Sequence, residues 1–272
     1  VPGATASGGY LVWLQSCLEI TKKIRWRSTA CDALSPVSPR KLAPMAGSNV
    51  MPVLNRISEF HQEMTAWRRD FHRHPELGFT ETRTATLIAE HLRSFGLDEV
   101  VTGVGRTGVV GVIHGATNDN TGSERAIGLR ADMDALPIRE ATGLPWASAT
   151  PGVMHACGHD GHSAMLLGAA RYLAETRNFA GRVYVVFQPA EETGQGAAAM
   201  LHEGRLLERF PLDHVFGLHN WPGLPEGQFA WREGPMMAAA AQFSIEVCGE
   251  GTHGAAPHLG KDAVLAAAQI VC

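Results

Sequence analysis

Thiol, imidazole and carboxylate groups gather in three short stretches of this 272-residue chain: Ala131-Asp132-Met133-Asp134, His155-Ala156-Cys157-Gly158-His159-Asp160-Gly161-His162 and Glu191-Glu192. Each stands at the end of an apolar run. A divalent cation needs deprotonated N, S or O ligands on a rigid frame, and a catalytic one also needs an open position for water and a nearby base. Together the stretches predict a metal-dependent hydrolase.

Cys157 and His159 flank a glycine that lets the backbone turn and aim both side chains inward. Alone, Cys-Gly-His reads sooner as a small buried cysteine beside a helix-capping histidine than as a ligand pair. The company of three histidines and Asp160 in eight residues, directly before a helix, makes the pair a metal-ligand candidate. Of Glu191 and Glu192, one can bind metal while its neighbour takes a proton from water and passes it to a leaving nitrogen. A solvated acidic pair is the plain alternative. His219 reads as a core histidine or, from its strand-end position, as a further ligand. Asp132 and Asp134, two apart, point to one side if extended, where at least one can orient a ligand histidine. An acidic turn is the other reading. His253, within Gly251-Thr252-His253-Gly254, is either a turn histidine or a donor that polarises a scissile carbonyl. Two rival chemistries lack their signatures: there is no His-Glu-x-x-His, and Gly161-His162-Ser163-Ala164-Met165 lacks the last glycine of a nucleophile elbow.

The elements that carry these residues follow from apolar spacing. Leu54, Ile57, Phe60, Met64, Trp67 and Phe71 recur at helical intervals and predict a helix over 53–72, ended by His74-Pro75. A second helix is expected over 82–95, with Gly96 as its stop, and a third over 163–176, capped by Asp160 or Ser163. Short β-branched runs at 108–114, 126–131, 182–188 and 214–218 read as buried strands. Helices alternating with strands argue for an α/β sheet covered on both faces, with ligands in the crevice beyond the strands' carboxyl ends. Past Pro235 the composition shifts to an alanine run, a strand-like 242–248, a Gly/His turn and a helix from Asp262 onward, so a second domain is expected there. Residues 1–50 lack sustained periodicity and end in a Pro/Ser/Lys-rich patch, the signature of a tail or non-native segment.

Composition excludes several classes. A formal net charge of −4, with 23 basic and 27 acidic residues, offers no face for a phosphate backbone, so no nucleic-acid partner is expected. No apolar stretch approaches the roughly 20 residues that span a bilayer, and Tyr10-Leu11-Val12-Trp13-Leu14 is too short for a membrane anchor. Five cysteines without paired spacing fit a reducing cytoplasm.

These motifs, in this order, resemble the M20 metallopeptidase family, in the amidohydrolase branch of hippurate hydrolases and indole-acetyl-amino-acid hydrolases. The resemblance runs from about Ala66 to Ile270 and rests on Trp67-Arg68-Arg69-Asp70-Phe71-His72-Arg73-His74-Pro75-Glu76-Leu77-Gly78, Arg130-Ala131-Asp132-Met133-Asp134-Ala135-Leu136-Pro137 and the Cys157 and Glu191 motifs. It implies an α/β catalytic domain of the metal-dependent exopeptidase type, a mixed sheet flanked by helices and interrupted by an α+β, ferredoxin-like lid and dimerisation domain. On that pattern 51–235 is the N-terminal part of the catalytic domain and 236–272 the start of a lid present only in part. The resemblance further implies two divalent ions (Mn, Zn, Co or Ni) held by Cys157, His159, Glu192 and His219, with Cys157 bridging as thiolate, Glu191 as general base and Asp132 and Asp134 behind the ligands. His253 would reach the active site of the second subunit of a homodimer. The family's last ligand, a histidine from a C-terminal portion, has no counterpart in this chain, which is expected to be truncated. The implied reaction is hydrolysis of a small N-acyl amino acid by metal-activated water. Its alternatives are a dipeptidase or carboxypeptidase of the same family, a non-catalytic fragment that binds metal or dimerises, and a closed structural metal domain.

Overall fold

The computed structural model describes residues 9–16, 54–117, 125–231 and 243–272. Strand β1 (Gly9–Ser16) precedes helices α1 (Asn55–Glu59), α2 (His61–Arg73) and α3 (Thr82–Ser94). Then come β2 (Glu99–Val104), β3 (Gly108–His114), β4 (Ala126–Asp132), α4 (His159–Thr176), β5 (Arg182–Gln188), α5 (Gly196–His202), α6 (Leu206–Arg209), β6 (His214–Trp221) and β7 (Phe229–Ala230). The described strands form one sheet in the order β2-β3-β5-β4-β6-β1-β7. β4 runs parallel to β5 and β6, whereas β3 is antiparallel to both β2 and β5, and β1 to β6. The sheet is therefore mixed, and the carboxyl ends of β4, β5 and β6 share one edge.

Alternation along β5 covers both faces of the sheet. Val183, Val185 and Phe187 pack with Phe71 of α2, Ile88 and Leu92 of α3, and Leu166 and Leu167 of α4. Tyr184 and Val186 pack on the other face with Val112, Met200 of α5 and Phe210. Each such side chain, fully buried, contributes about 1.5–3 kcal/mol. Gly111 in β3 permits the close approach of α3 and the chain that follows it: a Cβ there would stand 3.2 Å from Leu92 Cδ1 and 2.5 Å from Leu97 Cδ2.

Several boundaries differ from those the spacing predicts. The first helix is two, because the chain tightens at Phe60, whose N–H donates to Ile57 O at 3.1 Å. Phe60 is buried, with the Arg171 guanidinium 4.0 Å over its ring. α4 begins at His159 rather than Ser163, because Gly158, at φ 96°, starts the helix and its carbonyl accepts the Gly161 and His162 N–H groups. Neither Asp160 nor Ser163 caps it: the Ser163 hydroxyl donates to Asp132 O, and Asp160 pairs with His72 and Arg68. β2, an edge strand with mostly exposed or half-buried residues, carries no alternating apolar signal. Gly9–Ser16 is a strand within the segment expected to be a tail, and the rest of 1–50 lies outside the described residues.

The chain divides into two compact units, Val1–Arg232 and Glu233–Cys272. In the second, 243–249 form no strand among the described residues, and the antiparallel bridge Glu250↔Lys261 follows them. The apolar residues Phe243 and Ile245 of this segment are exposed. Helix α7 (Ala263–Val271) starts at Asp262, whose Oδ1 accepts the Leu265 N–H at 3.0 Å. Among the described residues no helix is long and apolar enough to cross a membrane.

Candidate metal centre

Parallel neighbours deliver the chemistry to one edge. Asp132 closes β4 and Asp134 follows two residues on; Pro189-Ala190 carries the chain from β5 to Glu191 and Glu192; His219 lies near the end of β6. The first turn of α4 brings His159 and His162 against them. Gly158 is required for this approach, since a Cβ there would meet Asn220 Oδ1 at 2.3 Å.

His159 is fully buried, and its Nδ1 lies 2.8 Å from Asp134 O and 3.2 Å from Asp134 Oδ1. Nδ1–H donating to that carbonyl makes Nε2 the nitrogen that can offer a lone pair to a cation once its own proton leaves. Nε2 makes no hydrogen bond and faces Asp132 Oδ2 at 3.5 Å, Glu192 Oε1 at 3.7 Å and Glu191 Oε2 at 3.8 Å. His219 repeats the arrangement: Nδ1 donates to Asn220 O at 2.6 Å and Nε2 stands 3.4 Å from Cys157 Sγ. The second oxygen of Asp134 accepts the Glu192 N–H at 3.0 Å, so one carboxylate steadies both a histidine and the glutamate turn. Asp132 is held by Arg130 at 2.7 Å and by His162 Nδ1 at 2.6 Å.

The charges show what the cluster demands. Burial pulls His159 down, yet its contacts with Asp134 and Cys157 and the nearby Asp132 carry it up to about 11. Burial alone would raise Asp132, but the Arg130 charge and the His162 bond outweigh it and hold the carboxyl far below its ordinary range. Burial raises Glu192. A buried site so rich in anionic and thiol donors favours a bound cation.

Three groups of side chains bring ligand atoms within 4.8 Å of one another: Cys157, His159 and His219; Asp132, His159 and His162; and His159, Glu191 and Glu192. Ligands about 2.1 Å from an ion at tetrahedral angles stand roughly 3.4 Å apart, close to the 3.4–3.8 Å separations of Cys157–His219 and of His159 Nε2 from the glutamates. The buried, unbonded His159 Nε2 and Glu192 Oε1 fit a divalent metal. His162 does not offer a free nitrogen, because its Nε2 accepts the Asn220 N–H at 3.1 Å.

The structure thus brings Cys157, His159, Glu191, Glu192, His219, Asp132 and Asp134 together. His253 belongs to the second unit, where it is exposed and its Nδ1 accepts the Ala255 N–H at 3.1 Å, so that the neutral ring carries its proton on Nε2. Spacing did not single out Arg130, His162 or Asn220. His162 carried a signal as one of three histidines in eight residues before the expected helix, but Asn220 carries none apart from its adjacency to His219.

A mixed α/β sheet with mixed S, N and O ligand candidates at its strand ends defines a metal-binding domain of the hydrolase type. Residues 128–271 match Peptidase family M20/M25/M40, and the chain belongs to that family. It is 47% identical over 221 residues to the hippurate hydrolase of Campylobacter jejuni subsp. jejuni, covering 81% of this chain and 56% of the relative. It is 42% identical over 216 residues to the N-acyl-L-amino acid amidohydrolase of Geobacillus stearothermophilus, covering 79% and 56%. Among solved structures, the YXEP protein of Bacillus subtilis, a dinuclear metal binding peptidase from the M20 family, matches with a TM-score of 0.51 at 41% identity, over 55% of this chain and 40% of that one. The chain spans about half the length of the curated relatives it matches.

Proposed function

We propose that this chain carries the metal-binding machinery of an amidohydrolase that cleaves the amide bond of N-acyl amino acids, with hippurate-like compounds as the substrate class. One observation carries the reading: two imidazoles, each fixed through Nδ1 by a backbone carbonyl, turn their Nε2 atoms toward carboxylates and a thiol. On this reading Cys157, His159, Glu192 and His219 hold two divalent ions, and a mixed donor set accommodates manganese, zinc, cobalt or nickel. When bound, such ions supply Lewis acidity that acidifies water and polarises a carbonyl. Asp134 fixes the His159 tautomer and Asp132 the charge beside it. Glu191 takes a proton from water and returns it to the departing amine, a role supported by its 39% side-chain exposure against 19% for Glu192. His253 donates its Nε2–H to the developing oxyanion, reaching the second subunit of a homodimer built through a lid that begins at about residue 236.

The peptidase among the solved relatives supports a second reading in which the amide cleaved is a peptide bond, and a dipeptidase or carboxypeptidase is the form we weigh against the first. Assays of N-benzoylglycine and N-acetyl amino acids against dipeptides, paired with metal content, separate the two. Glu191→Gln should keep its metal and lose turnover by about 10²–10⁴-fold; a variant that retains substantial activity sinks the assignment. A metal-loaded parent chain inactive on every substrate would favour a metal-binding fragment.

A further inference from the structure

Between β5 and the glutamate pair stands Ala190, fully buried and held at φ 46°, a left-handed conformation that a residue with a Cβ disfavours. Its carbonyl accepts the Gly196 N–H at 3.0 Å and the Thr193 hydroxyl at 3.1 Å. Its N–H donates to Glu81 Oε1 at 2.8 Å, and the other oxygen of Glu81 accepts the Thr107 hydroxyl at 2.6 Å.

We infer that Glu81 is a positioning residue for the Glu191–Glu192 pair, an inference that rests on the proposed use of that pair at the metal centre. Glu81 is fully buried, yet its two partners are a backbone amide and a hydroxyl rather than a cation. For stability alone an apolar side chain is the cheaper occupant, because a buried polar group must first be stripped of water. Its segment is also pressed against the turn: a Cβ on Gly78 would stand 3.0 Å from both Cα and Cβ of Ala190. Phe79, in the turn that delivers Glu81, is a second non-glycine residue at positive φ, 62°. The glutamate turn is thereby pinned on both sides of Glu191, at Ala190 by Glu81 and at Glu192 by Asp134. Releasing the first pin lets Ala190 relax toward negative φ and swings both carboxylates away from His159.

The test compares Glu81→Gln, which can still accept from Ala190, with Glu81→Leu, which fills the volume without an acceptor. Zinc affinity of the whole chain is measured by competition with a chromogenic chelator, and amide exchange is followed over residues 188–196. Glu81→Leu should bind zinc about 10-fold or more weakly and exchange faster over that segment, with Glu81→Gln parent-like in both. If Glu81→Leu does not fold, Thr107→Val, which frees only one oxygen, should weaken zinc binding a fewfold with faster exchange at 188–196. Parent-like zinc affinity in Glu81→Leu, or in Thr107→Val where that must serve, overturns the inference, as does an equal loss in Glu81→Leu and Glu81→Gln. If the parent chain itself takes up no zinc, the proposed function falls, and exchange at 188–196 alone then decides whether Glu81 holds the turn.

Discussion

Gly158 is the residue at which local backbone and chemistry are most tightly joined. Its φ of 96° starts α4 one residue before His159, and the space where a Cβ would sit is filled by Asn220. Gly158→Ala should therefore cost about 1–3 kcal/mol from backbone strain alone. It should also weaken metal binding, because the clash pushes His159 and His162 away from β6. Urea unfolding and zinc titration measure the two effects, and unchanged zinc affinity would separate the helix start from the site. The candidate ligands were legible because Cys157, His159, Glu191, Glu192 and His219 are chemically conspicuous at predicted strand or helix ends. The hydrogen bonds that make them usable were not. That Nδ1 of His159 meets a carbonyl at 2.8 Å depends on the path of the chain after β4, which no spacing encodes.

Between elements, α2 is tied to α4 through His72, and this contact has a pH signature. His72 Nδ1 lies 3.0 Å from Asp160 Oδ2 and Nε2 lies 3.2 Å from Glu140, while Arg68 reaches the same Asp160 oxygen at 3.2 Å. The His155 ring, 6.5 Å away, is driven down to about 4 by burial and stays neutral near pH 7. The bond to Asp160 raises His72 above its ordinary 6.5 against the opposing effect of burial. A histidine raised in the folded state contributes stability that is whole below its unfolded pKa, about 6.5, and fades as pH rises through its folded value. The stability lost in His72→Gln should thus be larger at pH 6 than at pH 9 in urea melts, and a difference that grows with pH would contradict the pairing. The strands β3 and β5 were readable because continuous Val-rich runs have one interpretation in a sheet covered on both faces, and β4 because its short apolar run ends at Asp132. β2 was not, since Glu99, Thr102 and Gly103 face solvent at the sheet edge. In the second unit 243–249 have a strand-like composition, yet a strand is defined by its ladder, and among the described residues there Glu250↔Lys261 is the one bridge.

For the whole first unit, the candidate ligands come from places far apart in sequence: the turn after β5, the start of α4 and the end of β6. A metal that binds all of them binds only the folded chain, so its affinity becomes folding stability. At a free metal concentration 100 times the dissociation constant this linkage is worth about 2.7 kcal/mol. A domain of this size shifts its melting temperature by about 2–4 °C per kcal/mol. Chelation should therefore lower the melting temperature by roughly 5–10 °C, and return of zinc or manganese should restore it. Cys157→Ser combined with His219→Ala should melt at one temperature with or without added metal, because the pair that meets at 3.4 Å has been removed. If instead the parent chain melts identically in chelator and in zinc, the conspicuous residues at this edge do not form a folded-state metal site. The buried His159 would then owe its charge to Asp134, Asp132 and Cys157 alone.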